Sequence, residues 1–114
     1  MKIVLLDQPE GNVIAREAQF GEYEGEFFLE EGRVYYRHVA DERTWLANPD
    51  PESFKSCVEA WNRYGVAVNK TAEEAEQLRY VQKLKTDLED AGAPLDHEEC
   101  FWAAILEQTE HGLL

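Results

Sequence analysis

The chain has 114 residues, 44% of them apolar, with three Trp, five Phe and five Tyr, and a formal net charge of -13 from 24 acids against 11 bases. That length suits one domain with a real core, and the aromatic content argues against a disordered chain despite the charge. The acids repel nucleic acid and anionic membranes and attract a basic partner.

The excess is not a tail. Residues 1–49 hold ten acids and five bases, and residues 50–114 hold fourteen acids and six bases. Two cysteines, Cys57 and Cys100, make no disulfide framework, and both fall on predicted apolar helix faces. The short apolar run ending at Leu6 is below signal-peptide length, and no stretch reaches membrane-spanning length. These features lead to the expectation of a cytoplasmic protein.

In chain order, Ile3–Leu6 reads as a buried strand and residues 7–12 as a loop dense in turn formers. Val13 to Ala18 reads as the returning strand. Glu22 to Glu26, bracketed by Gly21 and Gly25, reads as a loop or a sheet edge. Glu26–Glu30 is a strand, Glu30-Glu31-Gly32 a turn, and Arg33–Val39 the strongest strand, rich in Val and Tyr. Alternation puts Val34, Tyr36 and His38 on one face and Arg33, Tyr35, Arg37 and Val39 on the other. Thr44–Leu46 is a last short strand, and Asn48-Pro49-Asp50-Pro51 breaks the sheet.

Asp50–Gly65 is the clearest helix. Asp50 suits the N-cap, Pro51 the first helical position, and Gly65 the stop. Phe54, Cys57, Val58, Trp61 and Tyr64 form one apolar stripe. A capping box at Thr71–Glu74 opens a second helix, which Gly92 and Pro94 stop. Its inner stripe is Ala75, Leu78, Val81, Leu84, Leu88 and Ala91. Asp96 opens a third helix, expected over residues 97–111 with Phe101, Ala104, Ile105 and Gln108 on one face. The predicted fold is α+β: one domain over 1–114, with a mainly antiparallel N-terminal sheet packed by three C-terminal helices.

Candidate chemistry is sparse. His97 and Cys100 have metal-ligand spacing but lack the further ligands that zinc requires. Ser53 and Ser56 have no nucleophile elbow, and Cys57 sits on an apolar stripe where a thiol is inert. Glu22, Glu24 and Glu26 alternate and would share one strand face, as expected by chance in so acidic a chain. The spacing of Gly21 and Gly25 makes no phosphate loop. Of the aromatics, Trp61 and Trp102 read as core, and Tyr35 and Trp45 as possible anchors for a partner.

Several stretches resemble the SUKH superfamily, and within it the SUKH-4 type. They are Gly32-Arg33-Val34-Tyr35-Tyr36, Trp45-Leu46-Ala47-Asn48, Pro51-Glu52-Ser53-Phe54 with the helix through Trp61 and Tyr64, and Phe101–Glu107 with His111–Leu114. The resemblance covers about two-thirds of the chain. It implies an α+β domain and, as in most bacterial members, an immunity protein that blocks a cognate toxin of nuclease or nucleotide-modifying type. It supplies no catalytic residues to carry over, and the residues themselves lead to the expectation of no metal and no cofactor.

The expectation is therefore a non-enzymatic domain, monomeric or weakly dimeric, that binds a basic toxin through acids. The candidate contacts are Glu22, Glu24, Glu26, Glu30 and Glu31, with Tyr35 and Trp45. The alternative is a small-ligand or regulatory interaction domain.

Overall fold

A computed structural model describes residues 2–19, 22–41, 43–70 and 73–110, and of Gln19, Glu22 and Tyr23 the backbone only. Five strands come first: β1 (Lys2–Glu10), β2 (Val13–Gln19), β3 (Glu22–Glu30), β4 (Arg33–His38) and β5 (Thr44–Asn48). Three helices follow: α1 (Pro51–Asn69), α2 (Glu74–Asp90) and α3 (Phe101–Glu110). The strands form one antiparallel sheet in chain order, β1-β2-β3-β4-β5. The α+β architecture expected from the sequence is present.

Tight turns make the meander possible. Glu31 (φ 52) and Gly32 (φ 80) both take positive φ between the paired residues Glu30 and Arg33. This is the two-residue hairpin turn whose twist matches that of the strands. Gly11 (φ 64) serves the first hairpin, so β1 runs to Glu10 where a loop from residue 7 was expected. The β1–β2 register shifts between Leu5 and Glu10, around Pro9, which has no N–H to donate and is tolerated at an edge. As an edge strand β1 buries Ile3 but leaves Leu5 39% exposed.

The acid-rich segment at Glu22–Glu26 is neither a loop nor an edge. It is the first half of β3, the central strand. Alternation of β3 and β4 places Phe27, Val34 and Tyr36 on the helical side and Phe28, Tyr35 and Arg37 on the other.

The core lies between sheet and helices. Phe27 meets Tyr36, Phe54 and Phe101 at ring-centroid distances of 5.1, 4.9 and 5.0 Å. Phe54, Val58, Trp61, Leu84, Phe101 and Ile105 are buried together, as the periodicity predicts. Leu78 is the exception, at 52% exposed. The first turns of α2 project beyond the core, and its burial begins at Val81.

The Asp50 carboxylate accepts the Ser53 N–H at 2.7 Å, which makes it the expected N-cap of α1. Gly65 does not stop this helix, which continues to Asn69. Its last turns pack on α2, where Tyr64 and Ala67 face Tyr80 and Leu84 across a shared groove. That contact outweighs the cost of a mid-helix glycine, about 1 kcal/mol. At the end of α2, Gly92 (φ 96) and Ala93 donate to the carbonyls of Glu89 and Leu88. This is the paired closure of a Schellman motif, where the sequence expects the stop.

The third helix starts at Phe101, not at 97. Leu46 of β5 donates to the Glu99 carbonyl at 2.8 Å, and Cys100 bridges Leu46 in parallel. Residues 99–100 are therefore drawn along the sheet edge and cannot be helical. The buried face of α3 is Phe101, Trp102, Ile105, Leu106 and Thr109, and Gln108 is exposed. Thr71, the turn at Glu42 and the expected docking of Leu113-Leu114 lie outside the described residues.

Gly65 has right-handed helical backbone, and a Cβ added there meets nothing within 4 Å. Gly65→Ala is expected to raise the unfolding free energy by about 0.5–1 kcal/mol, read from urea unfolding. An unchanged or lowered value contradicts a continuous α1.

Candidate functional site

The central strand carries an interior glycine, which marks a close approach by another group. An ideal Cβ on Gly25 would stand 2.5 Å from Tyr36 Cε2 and 2.5 Å from Tyr36 Oη. The absence of that Cβ lets the Tyr36 ring lie across β3 and reach β2. There its hydroxyl donates to the Glu17 carboxylate, which is only 9% exposed. Three neighbouring strands thus contribute Glu17, Gly25 and Tyr36 to one contact.

Beside it the β2–β3 register slips by one residue. Glu17 pairs with Gly25 and Ala18 with Tyr23, so Glu24 has no partner in β2. A bulge of this kind re-aims a side chain. Glu24 lines the same cavity as Glu17, whereas Glu26 pairs with Arg37 on the opposite face. The alternation expected for Glu22, Glu24 and Glu26 therefore fails at the slip, and the Glu22 side chain lies outside the described residues.

The cavity has a volume of about 340 Å³ and lies between the sheet and α3. The sheet supplies Glu17, Glu24, Tyr36, His38 and Trp45, and the helix supplies Phe101, Ala104, Ile105 and Gln108. Its size is at the lower end for ligand pockets, and its lining combines aromatic walls with a few convergent polar groups. Burial holds the Tyr36 hydroxyl protonated far above the usual phenol range, reinforced by its hydrogen bond to Glu17 and the nearby charges of Glu17 and Glu24. The sign follows. Above about pH 10 an unfolded tyrosine releases its proton and the folded Tyr36 keeps it, so the Tyr36 contribution to stability is lost as pH rises.

Of the other contacts suggested by the sequence, Trp45 is half-buried and borders the cavity, with Arg43 over its ring at 4.4 Å. Tyr35 stacks on Phe28 on the opposite sheet face, ring centroids 5.9 Å apart. Glu30 and Glu31 are exposed at the β3–β4 turn. Among the described residues the candidates therefore form no single patch, and of them only Glu24 and Trp45 line the cavity. Glu17, Tyr36 and His38 complete their site. Gly25 is the one sequence signal for them, because it marks where a ring crosses the strand.

Elsewhere the chemistry is quiet. Burial raises the Cys57 thiol to about 11, against the hydrogen bond from Asn48, and burial also raises Cys100. Thiols so shifted are not activated nucleophiles. Among the described residues no His/Cys/Asp/Glu group could hold a metal ion, and no helix is long and apolar enough to cross a membrane. No family model, no curated protein and no solved structure matches the chain.

Gly25→Ala is expected to destabilise the fold by about 1–3 kcal/mol, as overpacking does. It should also displace Tyr36 from Glu17. Alkaline titration followed by phenolate absorbance should then show one more tyrosine ionising near pH 10 than in the parent chain. Unchanged stability together with an unchanged titration contradicts the crossing of Tyr36 over Gly25.

Proposed function

We propose that this chain is a non-enzymatic binding domain that captures a basic protein, in the manner of a cytoplasmic immunity protein that blocks its toxin. The observation that carries the reading is the pairing of Glu17 and Glu24 in an aromatic-walled cavity where, among the described residues, no cation bridges to either. A mostly buried carboxylate whose one partner is a neutral hydroxyl is stabilised by an incoming cation. The surplus of acids along both halves of the chain supports the same reading, because it steers a basic partner towards the surface. So does the α+β fold, which the resemblance to the SUKH superfamily implies for such proteins. Glu30 and Glu31, exposed and without a basic partner among the described residues, add to the approach field. The convergence of Glu17, Glu24, Tyr36 and His38 in one cavity also favours a second reading, a domain for a small cationic ligand.

The test is association kinetics against a basic toxin domain, sought first among the products of the neighbouring genes. The on-rate should fall steeply as salt rises past physiological strength, where the screening length is about 8 Å. Reversing Glu24, Glu30 and Glu31 to Lys should slow association more than it speeds dissociation. Kinetics indifferent to both salt and reversal contradict the reading.

A further inference from the structure

We propose that the cavity between the sheet and α3 is an anchor site for one arginine side chain of the protein partner, with the guanidinium between Glu17 and Glu24 and its flat face against the aromatic wall. This inference rests on the basic-partner reading and names the group that enters.

Glu17 has one carboxylate oxygen engaged and one to spare. Its side chain is buried, and one oxygen accepts from the Tyr36 hydroxyl. Among the described residues no donor reaches the other oxygen, although no enclosed side-chain oxygen or nitrogen lacks a partner. That second oxygen is therefore accessible, and Glu17 has access on the cavity it lines. Tyr36 cannot supply the missing charge, because it is a neutral donor and stays one. A cation with several N–H groups meets the need, since each ionised hydrogen bond is about twice as strong as a neutral one.

Glu24 is the second carboxylate of the cavity. The register slip removes it from the ladder and brings it to the same cavity, so two carboxylates flank one space. An ammonium is a compact point charge. A guanidinium is planar and carries five donors in a fixed fork, which lets it bridge two carboxylates.

The cavity wall is partly aromatic. Trp45 and Phe101 border the cavity from opposite layers of the fold. Arg43 lies over the Trp45 ring at 4.4 Å and does not line the cavity, and Arg37 lies over Phe28 at 4.8 Å. Guanidinium on aromatic faces is thus already a packing habit of this chain, worth more where water is excluded. Ala104, on the helical side of the cavity, is small. His38 also lines the cavity and carries no negative charge.

The probe is N-acetyl-L-arginine methylamide titrated into the intact chain, followed by NMR. Saturable shifts are expected at the Trp45 indole, Phe101 and Gln108. The lysine counterpart should bind about tenfold more weakly, and Glu24→Gln should weaken the arginine probe about tenfold, the size of one charged hydrogen bond. Glu17→Gln should do the same while its remaining carbonyl oxygen still accepts from Tyr36, and an unchanged spectrum away from the cavity confirms that each variant is folded. The absence of saturable shifts, or equal affinity in Glu24→Gln, overturns the anchor. If the toxin still binds in a salt-dependent way, the basic-partner reading survives that failure. Agmatine binding more than tenfold tighter than the capped arginine overturns the side-chain assignment in favour of a free small cation. If the capped arginine binds as expected and the toxin does not, the anchor stands and the basic-toxin reading falls.

Discussion

The helical half of this protein is seated by one buried amide. Asn48, at the end of β5, has no exposed surface. It donates to Ser53 Oγ at 3.1 Å and to Cys57 Sγ at 3.4 Å, both on α1, and accepts the Trp102 indole N–H of α3 at 2.8 Å. Trp102 is also fully buried, so its N–H depends on that acceptor. A buried polar group that is fully satisfied specifies one arrangement, and one that is half-satisfied is costly. Two helices and a strand are therefore held at one mutual position. The chain leaves Asn48 through Pro49 into the Asp50 cap, so the start of α1 is fixed within two residues of the same point.

The site follows from that seat. With Trp102 held at Asn48, its neighbour Phe101 is carried against Phe27 and Tyr36, at 5.0 and 4.6 Å. Ala104, Ile105 and Gln108 on the next turns close the helical side of the cavity. The sheet side depends on a different device, the missing side chain at Gly25, across which Tyr36 reaches Glu17. Helix placement and strand packing thus meet at one space, and neither alone forms it. The placement of acids by a bulge and an interior glycine, both local departures from regular strand geometry, is what distinguishes this space from the rest of an acidic surface.

Much of the fold was legible because its signals are local. The Asp50–Pro51 start, the Glu31–Gly32 turn and the Gly92 stop each depend on residues within a few positions. The stripe from Phe54 to Trp61 needed only helical spacing. What was illegible is long-range. Gly65 looked like a stop until the packing of α1 on α2 carried the helix past it. Asp96 looked like a cap until pairing of residues 99–100 with β5 took the backbone elsewhere. Alternation implied that Glu24 and Glu26 share a face, and no sequence pattern announces a one-residue slip in register. Glu17 and Tyr36 are 19 positions apart, so their contact was invisible, and the glycine that permits it read only as an interruption.

The central claim is that the Asn48–Trp102 contact seats α3 on the sheet. A double-mutant cycle over Asn48→Ala and Trp102→Phe, each unfolded in urea, measures it directly. Each single change leaves the other partner buried and unpaired, and the double change removes both, so the costs should fall short of additive by about 1–2 kcal/mol. Costs that add within about 0.3 kcal/mol contradict the account.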